Sequence, residues 1–184
     1  MTYQTTWFET NIPTEIVDII AREAETFENA ASTAVVRAGV NLKIRDSKTS
    51  WFKENHWIAG LCMSYVLMAN RANFQYDIEG FDGGDMQYTI YEPGQYYNWH
   101  QDAGIEALEQ EKCRKLSVVL QLSDPSEYEG GEFQLLNESG HMYIAPKMRG
   151  TIIVFDSRTR HRVRKIHSGT RRSLVGWIIG PRWK

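Results

Sequence analysis

A histidine and an aspartate stand two residues apart at the end of an aromatic-rich stretch, and their side chains could hold a metal ion. The stretch runs from Tyr91 to Asp102, and the pair is His100 and Asp102. Successive side chains of a strand point to opposite faces, so these two would share one face of an extended segment. Together with a second histidine they would form the two-histidine, one-carboxylate set that binds Fe(II) and leaves coordination positions open.

Four further histidines could supply the third ligand: His56, His141, His161 and His167. His161 follows an apolar strand and a polar turn and then opens another strand, so a hairpin could return it to the His100 strand. His141 and His167 neighbour glycines at predicted turns, where a solvated histidine is expected, and His56 precedes a predicted helix. The spacing therefore favours His161, with the other three as alternatives.

An arginine follows His161 by ten residues, at the start of the last predicted strand. This residue is Arg171, and its guanidinium could bind a carboxylate through two parallel hydrogen bonds. Arg172 is the rival for that role, because only one of two adjacent strand residues can face a given side. For either residue, an ordinary solvated charge is the alternative interpretation.

The composition is that of a globular protein with a sizeable core. The chain has 184 residues, 42% of them hydrophobic, and a formal net charge of -2, which predicts one domain over residues 1–184. Near-neutral charge gives no reason to expect nucleic acid as a direct partner, and no apolar run reaches the ~20 residues of a membrane span. No signal-peptide pattern opens the chain, and two isolated cysteines, Cys62 and Cys113, favour a reducing compartment. A cytoplasmic protein is expected.

Helical and polar segments are predicted in the first part of the chain, as a helical support over about residues 1–72. Apolar residues recur at helical spacing over 12–28 and about 57–71. In the second helix Trp57, Leu61, Tyr65 and Met68 would share the packed face, and Asn55 would be the N-cap. A loose alternation over 34–44 predicts a strand, and residues 45–50 predict a polar loop.

Strands are predicted from residue 74 onward, where short apolar or alternating runs are separated by Gly, Pro, Asp and Ser. The expected strands cover 74–78, 86–91, 96–100, 116–122, 132–136, 142–144, 151–155, 162–166 and 173–179. A succession of strands without helices between them predicts a β-sandwich or open barrel over about 74–181. The fold class is therefore mainly β, with N-terminal helices packed on the outside of one sheet.

The ordered set of motifs resembles the Fe(II)- and 2-oxoglutarate-dependent dioxygenases, in particular their prolyl 4-hydroxylase-like branch. The features run in the family's order over about residues 86–180, which is half the chain. They are Tyr91-Glu92-Pro93-Gly94, His100-Gln101-Asp102, Arg114 to Ser123, Gly130-Gly131-Glu132-Phe133, Gly150 to Ser157, His161 with Val163, Gly169 with Arg171, and Trp177.

This resemblance implies a double-stranded β-helix, of the jelly-roll or cupin-like type, supported by two or three helices. It implies Fe(II) bound by three residues and 2-oxoglutarate bound through its distal carboxylate, with O2 as the oxidant and ascorbate as an additional cofactor. Tyr91 would be a second contact of the cosubstrate. Gln121 stands where some prolyl hydroxylases carry a Tyr that bonds the same carboxylate, and a Gln amide can also donate. The implied iron ligands are His100, Asp102 and His161, and the implied carboxylate-binding residue is Arg171.

The implied reaction couples conversion of 2-oxoglutarate to succinate and CO2 with hydroxylation of a C–H bond. The implied substrate is a prolyl residue of a protein or peptide. The alternatives are hydroxylation of a free amino acid or another small molecule, and a non-catalytic cupin-like binding module. Tyr96, Tyr97 and Trp99 are expected to wall the site or pack the core. Tyr97 would face away from His100 in a regular strand.

A run of alternating arginines remains outside these assignments. Arg158, Arg160, Arg162 and Arg164 would project from one face if their segment were continuously extended. A solvated face is one interpretation, because long charged side chains are normally exposed. The other interpretation is a binding surface for an acidic groove partner or an RNA-rich complex.

Overall fold

The structure is a computed structural model that describes residues 6–28, 30–34, 41–103 and 111–183. Two α-helices, α1 (Thr14–Glu28) and α2 (Trp57–Ala69), lie in the first part of the chain. The strands of the described ranges are β1 (Trp7–Asn11), β2 (Ser32–Thr33), β3 (Arg45–Asp46), β4 (Lys48–Lys53), β5 (Gly80–Phe81), β6 (Asp85–Tyr91), β7 (Tyr96–His100), β8 (Lys112–Gln121), β9 (Tyr128–Gly130), β10 (Phe133–Leu136), β11 (Met142–Ile144), β12 (Thr151–Asp156), β13 (His161–Val163), β14 (Ile166–Gly169) and β15 (Arg171–Pro181).

The strands form a major sheet and a minor sheet. In the described residues, the major sheet has the order β1-β12-β8-β15-β6-β4-β2, with β5 beside β15. The minor sheet has the order β11-β10-β13-β7-β3, and β14 and β9 form a separate two-stranded ribbon. The pairs in both sheets are antiparallel. The predicted fold class, mainly β with N-terminal helices, is confirmed.

The central strands of the major sheet are buried on both faces. On β8, Leu116, Val118 and Leu120 belong to the apolar cluster that also contains the helices. Val119 points the other way, into the cluster between the two sheets. Because both faces are covered, these strands appear in the sequence as nearly continuous apolar runs rather than as alternating ones.

Both helices pack on the outer face of the major sheet, as predicted. The α1 helix contacts β4 and β6, and α2 contacts β8 and β12. The side of α1 that packs against the sheet buries Val17, Ile20 and Ala24. No helix in the described ranges is long and apolar enough to cross a membrane.

The start and the buried face of α2 differ from the prediction. Its N-cap is His56, whose ring nitrogen accepts a hydrogen bond from the backbone N–H of Ile58, and not Asn55. The buried positions include Ile58 and Val66, whereas Trp57 is 46% exposed. The helix is apolar on most sides, so periodicity alone could not select the buried face.

Three other predicted elements take a different form. Residues 48–53, expected to begin in a polar loop, form β4 because β6 and β2 pair with them. The strand predicted over 74–78 is wrong: α2 continues as a wider helical turn through Phe74, and the Asn70 side chain then bonds the Tyr76 backbone. The strand predicted over 34–44 includes positions 35–40, which lie outside the described residues, and residues 42–44 form a turn.

Candidate active site

The pairing of β7 with β13 brings two distant histidines together. His161, the first residue of β13, lies opposite His100, the last residue of β7. Asp102 lies beyond the end of β7, and its backbone N–H donates to the Ser157 carbonyl over 3.0 Å. The turn before β13 therefore positions both His161 and the carboxylate. Asp102 was expected on the same strand as His100, but it lies beyond the end of that strand.

The three side chains converge on one point in the structure. One ligand atom from each of His100, Asp102 and His161 lies within 4.8 Å of the others. The Nε2 atoms of His100 and His161 are 3.7 Å and 3.5 Å from the two carboxylate oxygens of Asp102. Two imidazoles and one carboxylate at this spacing could hold a divalent metal ion on one face.

Hydrogen bonds orient these groups for metal binding. Nδ1 of His100 bonds the Asn98 carbonyl at 2.7 Å, and Nδ1 of His161 bonds the Thr159 carbonyl at 2.9 Å. A carbonyl can only accept, so each Nδ1 carries a proton and each Nε2 keeps its lone pair in the neutral ring. The Ser117 hydroxyl donates to Oδ2 of Asp102 at 2.7 Å. This donor set fits Fe(II) with supporting hydrogen bonds already in place.

The charge states also suit a metal site. Burial lowers the pKa of His100 to about 3, and the neighbouring His161 acts in the same direction. Burial acts to raise the pKa of Asp102, but His161, His100 and the Ser117 hydroxyl outweigh it and hold that pKa below its usual value. At neutral pH the site therefore offers a neutral imidazole at His100 and an ionised carboxylate at Asp102.

Arg171 lies buried in the same cleft, at the start of β15. It pairs with Tyr91 of β6 in the sheet, and its guanidinium carbon is 5.7 Å from the centre of the Tyr91 ring. Its Nη1 donates to the Ser173 hydroxyl at 3.2 Å, and among the described residues no carboxylate forms an ion pair with it. An unpaired buried guanidinium is costly, so this arrangement favours a carboxylate supplied by a ligand.

Arg172 occupies a different environment. Its Nε lies 3.1 Å from Oε2 of Glu28 on α1, so its side chain faces the helices rather than the cleft. Strand alternation separates the two arginines as expected from their adjacency. Between the two rivals, the structure places Arg171 at the cleft.

Tyr91 and Gln121, the two residues expected to bind the cosubstrate beside Arg171, lie at different distances from the cleft. Tyr91 lines the cleft, whereas Gln121 does not. The Gln121 amide donates to the hydroxyl of Tyr128 at 2.9 Å. Burial raises the pKa of Tyr128, and the positive charge of Arg171 partly opposes that shift. Tyr128 thus lies between Gln121 and the guanidinium. It carried no signal in the sequence because it comes from the short strand β9.

Tyr97 faces the cleft, contrary to the prediction from strand alternation. In the pairing of β7 with β13, His100 is opposite His161 but Tyr97 is opposite Val163, so β7 carries one extra residue between these pairs. Such a bulge moves the following side chains to the other face. The rings of Tyr97 and His100 are consequently stacked, with their centroids 3.5 Å apart. Tyr97 therefore packs directly on a candidate metal ligand.

The other two aromatic residues of this stretch lie away from the cleft. The Tyr96 hydroxyl donates to the Leu42 carbonyl at 2.9 Å. The Trp99 ring lies beneath the guanidinium of Arg162, 4.6 Å from its carbon. Neither residue lines the cleft.

The cleft also contains two polar residues that the sequence did not single out, Arg45 and Gln87. Its volume is about 420 Å³ when the open solvent at its mouth is included. The lining residues are Arg45, Gln87, Tyr91, Tyr97, His100, Asp102, Val119, Phe133, Phe155, His161, Val163, Arg171, Ser173, Val175 and Trp177.

The remaining polar candidates lie elsewhere. His141 and His167 are exposed and do not approach the metal-binding group. The alternating arginines do not form one continuous face, because the chain turns between β12 and β13. Arg158 is bonded to Asp156 in that turn, and Arg164 lies 3.8 Å from Glu132.

A family model places the chain among known proteins. The model of the 2OG-Fe(II) oxygenase superfamily matches residues 86–179, which contain all three candidate metal ligands and Arg171. This chain belongs to that superfamily. It is therefore an enzyme of the 2OG-Fe(II) oxygenase class, for which the family implies Fe(II), 2-oxoglutarate and O2, and the alternative of a non-catalytic binding module is not supported.

Curated relatives of this oxygenase include PKHD-type hydroxylases. One from Parvibaculum lavamentivorans is 27% identical over 170 residues, covering 89% of this chain and 71% of the relative. One from Synechococcus sp. strain CC9902 is 43% identical over 89 residues, covering 47% of this chain and 37% of the relative. The chain thus spans most of the first relative and little more than a third of the second.

Solved structures of prolyl hydroxylases share the fold of this oxygenase. A Pseudomonas putida prolyl-4-hydroxylase has a TM-score of 0.74 at 22% identity, covering 96% of this chain and 93% of that one. A Trichoplax adhaerens prolyl hydroxylase, in complex with a hypoxia-inducible factor peptide fragment, has a TM-score of 0.80 at 16% identity, covering 95% and 84%. The two facing sheets are therefore those of a double-stranded β-helix, as expected.

Proposed function

We propose that this oxygenase hydroxylates a prolyl residue of a protein or peptide and releases succinate and CO2 from 2-oxoglutarate. The observation that carries the proposal is the convergence of His100, Asp102 and His161 within 4.8 Å, in a cleft that also contains the buried Arg171. The similarity to PKHD-type hydroxylases and to the fold of prolyl hydroxylases supports the choice of substrate.

His100, Asp102 and His161 would hold Fe(II) through two Nε2 atoms and the carboxylate. Iron bound there would supply, with 2-oxoglutarate and O2, the oxidation that hydroxylates a C–H bond. The Asn98 and Thr159 carbonyls keep the two rings in the tautomer that ligates. Ser117 holds one carboxylate oxygen through its hydroxyl, which limits rotation of Asp102.

Arg171 would bind the distal carboxylate of 2-oxoglutarate, with Tyr91 beside it in the cleft. The Ser173 hydroxyl accepts from Nη1 and thereby fixes one side of the guanidinium plane. The guanidinium charge acts on the Tyr128 hydroxyl, and the Gln121 amide donates a hydrogen bond to that hydroxyl. In this proposal Gln121 acts through Tyr128 as a positioning residue and does not touch the cosubstrate.

The walls of the cleft would exclude water from the reacting groups. Val119, Phe133 and Phe155 present apolar surface next to His161, and the Phe155 ring centroid is 4.8 Å from that of His161. A dry site strengthens the electrostatic contacts of Arg171 with a bound carboxylate. It would also protect a reactive centre from side reactions with water.

The test is an assay of the protein supplied with Fe(II), 2-oxoglutarate and proline-containing peptides, with and without ascorbate. Succinate release and the mass gain of one oxygen atom on a prolyl residue are expected. A gain of oxygen on a free amino acid, with none on any peptide, would redirect the proposal to a small-molecule substrate. Absence of succinate with every substrate would contradict it.

A further inference from the structure

Arg45 and Arg171 are the two buried arginines in the described part of the chain, and both line the same cleft. They are 5% and 3% exposed. Other arginines of these residues that face carboxylates lie nearer the surface, for example Arg114 with Asp82 and Arg172 with Glu28. Among the described residues, Arg45 and Arg171 have no carboxylate within 4.0 Å.

Neutral side chains hold the Arg45 guanidinium in place. Its Nε donates to the Ser47 hydroxyl at 2.9 Å, and its Nη2 donates to the Gln87 amide oxygen at 2.7 Å. The same oxygen accepts from the Thr89 hydroxyl at 3.0 Å, which fixes the amide. Arginine has more N–H donors than these contacts use, and Nη1 bonds none of the described residues. A buried, oriented cation with free donors is prepared for an incoming anion.

The cosubstrate does not supply a carboxylate to Arg45 in the proposed function. Its distal carboxylate would lie at Arg171, and its 2-oxo acid end would take open positions of the metal held by His100, Asp102 and His161. Arg45 is anchored to Gln87 of β6, whereas Arg171 pairs with Tyr91, four residues further along the same strand.

Asp102, the carboxylate that lines the cleft, contacts groups other than Arg45. The Asp102 oxygens face the Nε2 atoms of His100 and His161, and one of them accepts from Ser117. Among the described residues, Arg45 therefore contacts neutral hydrogen-bond partners and the face of the Tyr97 ring, but no carboxylate. In the proposed function, the molecule that is oxidised is the remaining source of an anion.

We propose that Arg45 binds a carboxylate of the primary substrate and thereby selects substrates with an anionic group near the hydroxylated carbon. This inference rests on the proposed hydroxylase function. On a proline substrate, the group would be the α-carboxylate of a C-terminal proline or the side chain of an adjacent acidic residue. A planar guanidinium held by Ser47 and Gln87 offers such a group a fixed, bidentate edge.

The position of Arg45 relative to the metal ligands suits this role. Its guanidinium carbon is 4.8 Å from the centre of the Tyr97 ring, and that ring is stacked on His100. A carboxylate bound to Arg45 would therefore lie near the Tyr97 ring, which contacts the candidate metal ligand His100. The substrate carbon next to that carboxylate would be held close to the oxidising centre, where orientation contributes strongly to rate.

Calorimetric titration of the full chain, loaded with Fe(II) and 2-oxoglutarate under exclusion of O2, tests this assignment. The probes are N-acetylproline against N-acetylprolinamide, and a Pro-Glu peptide against its Pro-Gln counterpart, both amidated. We expect at least one carboxylate probe to bind tenfold or more tightly than its neutral partner. A difference within the N-acetylproline pair would identify the α-carboxylate of a C-terminal proline as the bound group. A difference within the Pro-Glu pair would identify the side chain of an adjacent acidic residue.

Two substitutions and a control decide whether Arg45 is responsible. Arg45→Gln should remove the preference for the carboxylate probe and leave the dissociation constant of 2-oxoglutarate unchanged. Gln87→Glu retains Arg45 but supplies an internal carboxylate, so it should remove the preference as well, even if Arg45→Gln fails to fold. Arg160→Gln, at an exposed position outside the cleft, should retain it.

Equal binding of charged and neutral probes by the wild-type protein would overturn the assignment. An undiminished preference in both Arg45→Gln and Gln87→Glu would also overturn it. Failure of the proposed hydroxylase function has a different signature, namely carboxylate-selective binding that depends on Arg45 but no succinate and no oxygen insertion. The two proposals are therefore separable in one set of measurements.

Discussion

His161 lies directly opposite His100 across the antiparallel pair of β7 and β13, with the two ring centroids 4.1 Å apart. The residues are far apart in the chain, and one strand pairing sets their distance. The turn before His161 also holds the backbone of Asp102 through the Ser157 carbonyl. One strand pairing and the turn that precedes β13 thus assemble the whole candidate metal-binding group, which makes the group sensitive to any change in the register of these strands.

Substitution of a candidate metal ligand should abolish iron binding. We expect His100→Ala or Asp102→Ala to bind no stoichiometric Fe(II) and to release no succinate, because two ligands do not hold the ion on one face. Metal content after reconstitution and gel filtration measures this directly. His141→Ala, which changes an exposed histidine in a turn, is the matched control and should bind iron normally.

Arg171 and Arg172 should differ in their effect on the cosubstrate. Arg171→Gln should raise the 2-oxoglutarate KM by about 10–100-fold, since a charged hydrogen bond contributes about 1.5–3 kcal/mol. Steady-state succinate release at varied 2-oxoglutarate gives the value. Arg172→Gln should leave that KM unchanged, because it loses only its contact with Glu28. A normal KM in Arg171→Gln would move the carboxylate-binding role to another residue.

Ser117 should support metal affinity without binding metal. Its hydroxyl bonds both Asp102 and Ser157, so Ser117→Ala leaves one oxygen of the carboxylate without its donor. Loss of such a supporting hydrogen bond typically weakens metal affinity by about 10–100-fold. Competition with a chelator measures the dissociation constant. Ser64→Ala, on the exposed side of α2, should have wild-type affinity, and an equal loss in both variants would indicate general destabilisation.

The contact between Glu28 and Arg172 should contribute to stability in a pH-dependent way. The hydrogen bond from Arg172 holds the pKa of Glu28 below its usual value. A carboxyl group with a lowered pKa in the folded state stabilises fully above the unfolded pKa and loses that contribution as pH falls through the folded pKa. The pair is partly exposed, so solvent screening limits the effect to roughly 0–1 kcal/mol.

Thermal unfolding of the wild type and Glu28→Gln measures this contribution. The difference in Tm should be largest near neutral pH and should vanish at acidic pH, below the folded pKa. Added salt should reduce it at neutral pH. A difference that grows as pH falls would contradict the assigned sign.

Gly169 should tolerate no side chain, whereas Gly140 should tolerate one at moderate cost. Both glycines have a positive φ, of 73° and 77°. A Cβ at Gly169 would lie 1.9 Å from the Glu127 carbonyl oxygen, whereas a Cβ at Gly140 would meet nothing within 4 Å. Gly140→Ala isolates the backbone term of about 1–2 kcal/mol. Gly169→Ala should destabilise clearly more, as measured by urea denaturation, because β14 must separate from β9 to make room.

Much of the fold and the site could be predicted from the sequence because the signals are local. Alternation and turn residues located most strands from β6 onward to within about four residues. Strand β9 was not predicted, and the strand expected over 162–166 divides into β13 and the start of β14. The grouping of His100 with Asp102 was predicted from a two-residue strand period, although Asp102 lies beyond the end of β7 and is held by the Ser157 carbonyl. His161 was favoured as the partner of His100 because it opens a strand after a short polar turn, although that turn connects the two sheets and does not form the expected hairpin. The family resemblance rests on the order of these same segments.

Other features were decided by the tertiary structure alone. Tyr97 turns toward the cleft because a bulge, set by the partner strand β13, interrupts the alternation of β7. The polar segment 48–53 becomes a strand because β6 pairs with it. Arg45 and Tyr128 reach the site from elements that carry no chemical motif, and only packing shows that Arg45 is buried with no carboxylate of the described ranges beside it. Local sequence determines which face a regular strand presents, whereas bulges, pairing partners and unpaired buried charges depend on residues that are distant in the chain.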